Sequence, residues 1–76
     1  NERILQLSTT LRHTLQRLFD CQLNMKETAN SLHIHRNTLL YRLESVEELT
    51  GLNPRQFDDA ILLRFILIIQ EMNKEL

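Results

Sequence analysis

Apolar residues recur at Ile4, Leu7, Leu11, Leu15 and Leu18, at intervals of three and four, which lays one apolar stripe along a helix. Ser8 and Thr9 can cap its start, so the pattern predicts a first helix over about 9–21, with room for an earlier turn. The segment from Asp20 to Asn24 breaks the periodicity. Asn24 followed by Glu27 is a start signal, in which the Asn oxygen takes a free N–H of the first turn and the acid reaches back to the cap. A short second helix is predicted over 25–32. Ala29 lies midway along it, where a small side chain lets another helix cross closely.

His33-Ile34 forms the next turn, with Ile34 apolar and fit to plug the gap between two helices. A third helix is predicted over 36–50 and stops at Gly51, a normal place for positive φ. Leu39, Leu43 and Val46, spaced by four and three, form its inner stripe. At about 100° per residue, Asn37, Thr38, Tyr41, Ser45 and Glu48 fall on the outer half. Asn53-Pro54 restarts the chain with a cap residue and a proline at the first helical position, and a fourth helix is predicted over 57–74.

One Gly, one Pro and no Trp leave few punctuators, which favours long helices over many short strands. The expected fold is all-α: one domain over 1–76, four helices, near the lower size limit for a single core. The lone Cys21 cannot form an intramolecular disulfide, and no apolar run approaches the roughly 20 residues of a membrane span. These point to an intracellular protein with no membrane role. The start at Asn1 rather than Met is that expected of a piece of a longer protein.

A short helix followed by one that opens with His35-Arg36-Asn37-Thr38 has the layout of a helix-turn-helix reader of DNA. No conventional cap residue precedes this helix. Asn can pair bidentately with adenine and Arg with guanine, while Thr can hydrogen-bond or offer its methyl group. Tyr41 and Arg42, one turn later, would reach phosphates, and the helix N-terminus adds partial positive charge and free N–H groups. The net charge of −1 opposes binding to a polyanion, but it is unevenly spread. Residues 33–43 carry Arg36, Arg42 and two histidines with no acid, whereas Glu44, Glu47 and Glu48 follow with no base. Since phosphate responds to the local field, only the first two turns of this helix should approach DNA. His33 stands in the turn where Gly is common, and His tolerates positive φ better than most residues.

The run from Leu32 to Leu43, LHIHRNTLLYRL, with Glu48-Leu49-Thr50-Gly51 after it, resembles the C-terminal helix-turn-helix domain of the PucR/CdaR-type bacterial regulators of purine and sugar-diacid catabolism. The similarity extends from about Leu11 to Met72, and more distantly to the DNA-binding end of Fis-like proteins. The resemblance implies that His35, Arg36, Asn37, Thr38, Tyr41 and Arg42 lie at the surface of double-stranded DNA. It also implies a cytoplasmic transcription regulator, nucleoid-associated when bound, that activates sugar-diacid or related catabolic genes without a cofactor. Any small-molecule effector would be sensed in a region N-terminal to this chain.

Residues 60–69, AILLRFILII, are apolar at all positions but Arg64. A helix apolar all round must be buried all round, and few helices are available to cover it. One reading is a homodimer interface through residues such as Leu62, Phe65, Ile66 and Ile69, or a surface for the rest of the protein. The other is a central core helix wrapped by its three neighbours. His13, Cys21, His33 and His35 lack paired metal-ligand spacing, so no metal site is expected. A chain with one Gly has no Gly-rich phosphate loop, and no catalytic constellation stands out, so no enzyme is expected. The competing class is a helical protein-interaction module without base readout.

Overall fold

The computed structural model describes residues 7–74, and over them the chain is all-helical. Helix α1 spans Thr9–Asp20, α2 Met25–Leu32, α3 Arg36–Thr50 and α4 Phe57–Lys74. Only the end of α1 differs from the periodicity, by one residue. Ile4, the first member of the predicted stripe, lies outside the described residues.

The starts of α1 and α2 are capped by the expected residues. Ser8 Oγ accepts the Leu11 N–H at 3.2 Å, and Asn24 Oδ1 accepts the Glu27 N–H at 2.9 Å. The reciprocal arm expected from Glu27 is replaced. The Asn24 N–H donates instead to the Cys21 carbonyl at 3.1 Å, because the preceding turn has already claimed it.

Both turns that flank α2 close the same way. The Leu23 N–H reaches back to the Leu18 carbonyl (2.8 Å) and the Gln22 N–H to the Phe19 carbonyl (3.0 Å). After α2, the Ile34 N–H reaches the Ala29 carbonyl and the His33 N–H the Asn30 carbonyl, each at 3.1 Å. This pairing satisfies the last carbonyls of a helix and requires a left-handed residue. Gln22 (φ 56°), Leu23 (φ 66°) and His33 (φ 57°) supply it without glycine. The apolar residue that follows the first left-handed position, Leu23 in one turn and Ile34 in the other, folds back onto the core.

Helix α3 ends at Gly51 (φ 77°), whose N–H donates to the Glu47 carbonyl at 2.8 Å. A side chain there would meet nothing, so the backbone conformation alone calls for glycine. Asn53 Oδ1 accepts the Arg55 N–H at 2.9 Å, and Asp59 Oδ2 accepts the Asn53 N–H at 2.9 Å. Pro54 is therefore not the first helical residue. It sits buried in a turn over 54–56, and α4 begins only at Phe57.

The core is built around α1, which packs on each of the other three helices. Leu15 and Leu18 of α1, Leu39 and Val46 of α3, and Leu63 of α4 have no exposed surface; Ala29 and Leu43 join them. Thr28 and Ala29 are the buried residues of α2, and their small size lets the neighbouring helices close over it. Helix α4 is not the wrapped core helix. Among the described residues it buries the stripe Ala60, Leu63, Leu67 and Gln70 and leaves seven large apolar side chains exposed.

Leu43→Ala should cost about 2–5 kcal/mol of stability, as for other buried leucines, whereas the exposed Asn37→Ala should leave the melting temperature nearly unchanged. Equal melting of the two variants would contradict the inner and outer faces of α3.

Candidate nucleic-acid interface

The start of α3 is held by its inner stripe, Leu39, Leu43 and Val46, against α1 and α2. That anchorage leaves the polar face free of packing duties. His35, Arg36, Asn37, Thr38 and Tyr41 are all exposed, Tyr41 to 71%. The first turn carries no acid, so the partial positive charge of the helix N-terminus is not neutralised there. Glu44 lies eight residues beyond Arg36, about 12 Å along the axis, and Glu47 and Glu48 lie further still. The acidic end of α3 is thus set back from the surface that its first two turns present.

The opening that looks uncapped is capped by His35. In extended conformation (φ −70°, ψ 149°), its ring Nδ1 accepts the Asn37 N–H at 3.0 Å. The bond needs a bare Nδ1, which assigns the neutral ring's proton to Nε2 and keeps that N–H as an outward-available donor on an exposed residue. Because Ser, Thr, Asp and Asn dominate this position, residue preference alone misses the cap.

Arg42 stands apart from the other five. It is half-buried, and its Nη1 donates to Thr14 Oγ1 of α1 at 3.2 Å. The Thr14 hydroxyl, fully buried, donates in turn to the Thr10 carbonyl at 2.8 Å. A matching link joins α1 to α2, where Arg17 Nε donates to Ser31 Oγ (3.2 Å) and Ser31 Oγ donates to the Thr28 carbonyl (3.0 Å). Each arginine thus meets a hydroxyl whose own proton is already committed, which fixes the direction of the bond. The wheel held a signal for Arg42: three steps of about 100° from Leu39 bring it within about 60° of the inner face. Among exposed residues that the sequence pattern did not single out, Lys26 adds a positive charge in the first turn of α2.

Of the residues expected at a dimer interface, Leu62, Phe65 and Ile69 are exposed. Ile66 is half-buried and turned toward the core. Arg64, the charge within the apolar run, lies 3.4 Å from Asp20 Oδ1 and 5.7 Å from the centre of the Phe19 ring. It ties α4 to the end of α1. Among the described residues, no helix is long and apolar enough to cross a membrane.

Residues 11–69 match the family model described as the PucR C-terminal helix-turn-helix domain. The chain belongs to that family. It is 46% identical over 61 residues to the carbohydrate diacid regulator of Escherichia coli (strain K12), covering 80% of this chain and 16% of that protein. It is 37% identical over 67 residues to the purine catabolism regulatory protein of Bacillus subtilis (strain 168), covering 88% of this chain and 13% of that one. The chain therefore spans about a sixth or less of the length of these curated relatives. No solved structure matches it. The PucR family places this chain among DNA-binding regulatory domains, which are not an enzyme class.

Removal of either polar support should be read in stability. His35→Ala should cost about 0.5–2 kcal/mol through the lost cap. Arg42→Ala should cost about 1 kcal/mol through the lost bond to Thr14, and Arg36→Ala close to nothing. Urea denaturation of the three variants checks this, and an Arg42→Ala chain as stable as wild type would show that the Thr14 contact contributes no stability.

Proposed function

We propose that this domain binds double-stranded DNA sequence-specifically by laying the first two turns of α3 in the major groove. The observation that carries the reading is the exposed, acid-free set His35, Arg36, Asn37, Thr38 and Tyr41 at the N-terminus of a helix anchored by its opposite face. Arg36 and Asn37 are the candidates for base contacts, through the paired donors of guanidinium and amide. Thr38, Tyr41 and the Nε2–H of His35 are further candidates, for phosphate or base acceptors. Helix α2 braces the reading helix across the backbone, with Lys26 as a phosphate contact. Arg42, bound to Thr14, contributes first by holding α3 to α1 and only secondarily as charge.

The domain would act as the output end of a bacterial transcription regulator working in the cytoplasm on the nucleoid. Regulation of sugar-diacid or related catabolic genes is favoured by the name of the relative at 46% identity; we take its sign to be activation, with effector sensing in the remaining length of such a regulator. Two copies on DNA would present two α3 starts about 34 Å apart to match successive major grooves. The second reading, a protein-interaction module, draws its support from the bare face of α4, which is compatible with DNA binding by α3.

Arg36→Ala and Asn37→Ala should each weaken binding to the cognate site by about 1–3 kcal/mol and relax preference at particular base pairs. Fluorescence anisotropy against the site and its point variants reads this, and equal binding by wild type and both variants would sink the assignment. With about three phosphate contacts per copy, affinity should fall roughly 40-fold between 50 and 200 mM salt, from a slope of about −0.9 per contact. A salt-independent complex would favour the protein-interaction reading instead.

A further inference from the structure

The bare face of α4 has a period. Ile61, Phe65, Ile68 and Met72 follow one another at intervals of four, three and four, and all four are exposed, Phe65 to 62% and Met72 to 64%. This is the a/d spacing of a coiled-coil seam, with Phe65 and Met72 at a and Ile61 and Ile68 at d. Leu62 and Ile69, also exposed, widen it on the e side. The stripe that α4 turns to its own domain, Ala60, Leu63, Leu67 and Gln70, occupies c and f, the positions a coiled coil leaves outside. One helix thus carries two apolar faces, and among the described residues the domain covers only one.

We infer that this seam pairs with the same seam of a second copy, the two α4 helices running antiparallel. The inference deepens the two-copy reading above and rests on it. Three features select this occupant. The first is area. At roughly 100 Å² for each half-exposed side chain, the six seam residues offer on the order of 600 Å² per copy, about three quarters of the ~800 Å² per partner of a stable interface. The second is charge. Arg64 and Glu71 both fall at g, and both are exposed. In an antiparallel pair g faces g, so Arg64 meets Glu71 of the partner subunit, and two-fold symmetry makes the contact twice. A parallel pair would set Arg64 against Ile69 of the partner subunit. Arg64 keeps its Asp20 contact meanwhile, since a guanidinium has five N–H donors and this one is 45% exposed. The third is continuity. An open apolar groove of about 440 Å³ runs beside the seam, lined by Phe19, Leu23, Phe57, Ile61 and Phe65 among others, and a partner helix lying along the seam covers its Ile61 and Phe65 side.

Sedimentation of the chain at tens of micromolar, with circular dichroism to verify helicity, tests the pairing. Wild type should sediment as a dimer and Phe65→Asp as a folded monomer. Arg64→Glu and Glu71→Arg should each weaken the dimer about tenfold, since each replaces two attractive pairs by two repulsive ones, and the double swap should recover most of that loss. A wild type monomeric at about 100 µM, or a dimer that Phe65→Asp leaves intact, overturns the interface. Single and double swaps that weaken alike overturn the antiparallel arrangement. Binding to a single half-site at low salt separates this from the recognition reading. Folded Phe65→Asp should still bind it, whereas a failure of recognition removes half-site binding from wild type as well.

Discussion

Everything in this fold is held against α1, and what holds it is the complete burial of Leu15 and Leu18. Each removes an apolar side chain from water at a gain of roughly 1.5–3 kcal/mol, in a chain too short to assemble a second core. Helix α2 is eight residues long and buries only Thr28 and Ala29, so it has little capacity to fix an orientation by itself. The helix-turn-helix is held in one arrangement because α1 meets both of its helices. Its apolar side supplies the gain, and Thr14 and Arg17 supply direction through their bonds to Arg42 and Ser31. A rigid support is what a reading helix needs, since a base contact has value only if the amide or guanidinium arrives in register.

The turns on either side of α2 carry a local cost that the core offsets. Left-handed backbone outside glycine is unfavourable by about 1–2 kcal/mol per residue, and Gln22, Leu23 and His33 all adopt it. In return each turn satisfies the last carbonyls of its helix and drives an apolar residue, Leu23 or Ile34, back onto the core. The chain reverses tightly at both points, which keeps α2 and α3 close enough to share α1. Gly51 does the same work at the end of α3 without the strain.

The parts of this architecture that were legible in the sequence are those where periodicity and stop signals agree. Leu39, Leu43 and Val46 fixed the inner face of α3, Asn24 and Gly51 fixed boundaries, and Ile34 and His33 declared the turn between α2 and α3. The rest was hidden for specific reasons. Leu23 in a left-handed conformation contradicts the preference of a bulky residue, and only the gain from its burial explains it. The His35 cap runs against cap statistics, and Arg42 reads as a surface charge until the neighbouring helix is known. The central run of α4 is apolar on every side, so periodicity could not say which side faces inward; the domain took the stripe Ala60, Leu63, Leu67 and Gln70. The exposure of the α3 polar face followed from the wheel, because Leu39, Leu43 and Val46 occupy the opposite side.

The modest charge of the chain and the unused face of α4 bear on one another. With a net charge of −1 and a few basic groups at the start of α3, one copy would engage few phosphates on the proposed reading, and an isolated half-site complex would be correspondingly weak. Adding more arginine would strengthen it on every sequence alike, which lowers discrimination rather than raising it. Joining two copies raises affinity differently. Once the first α3 of such a pair were seated, the second would be delivered to its half-site at an effective concentration set by the geometry of the joint, and the gain would appear only where both half-sites are present at the right spacing. On the proposed reading, a base-reading head on a self-pairing helix would convert spacing into specificity, and a joint made by α4, remote in sequence from the α3 surface, would leave the reading face unencumbered.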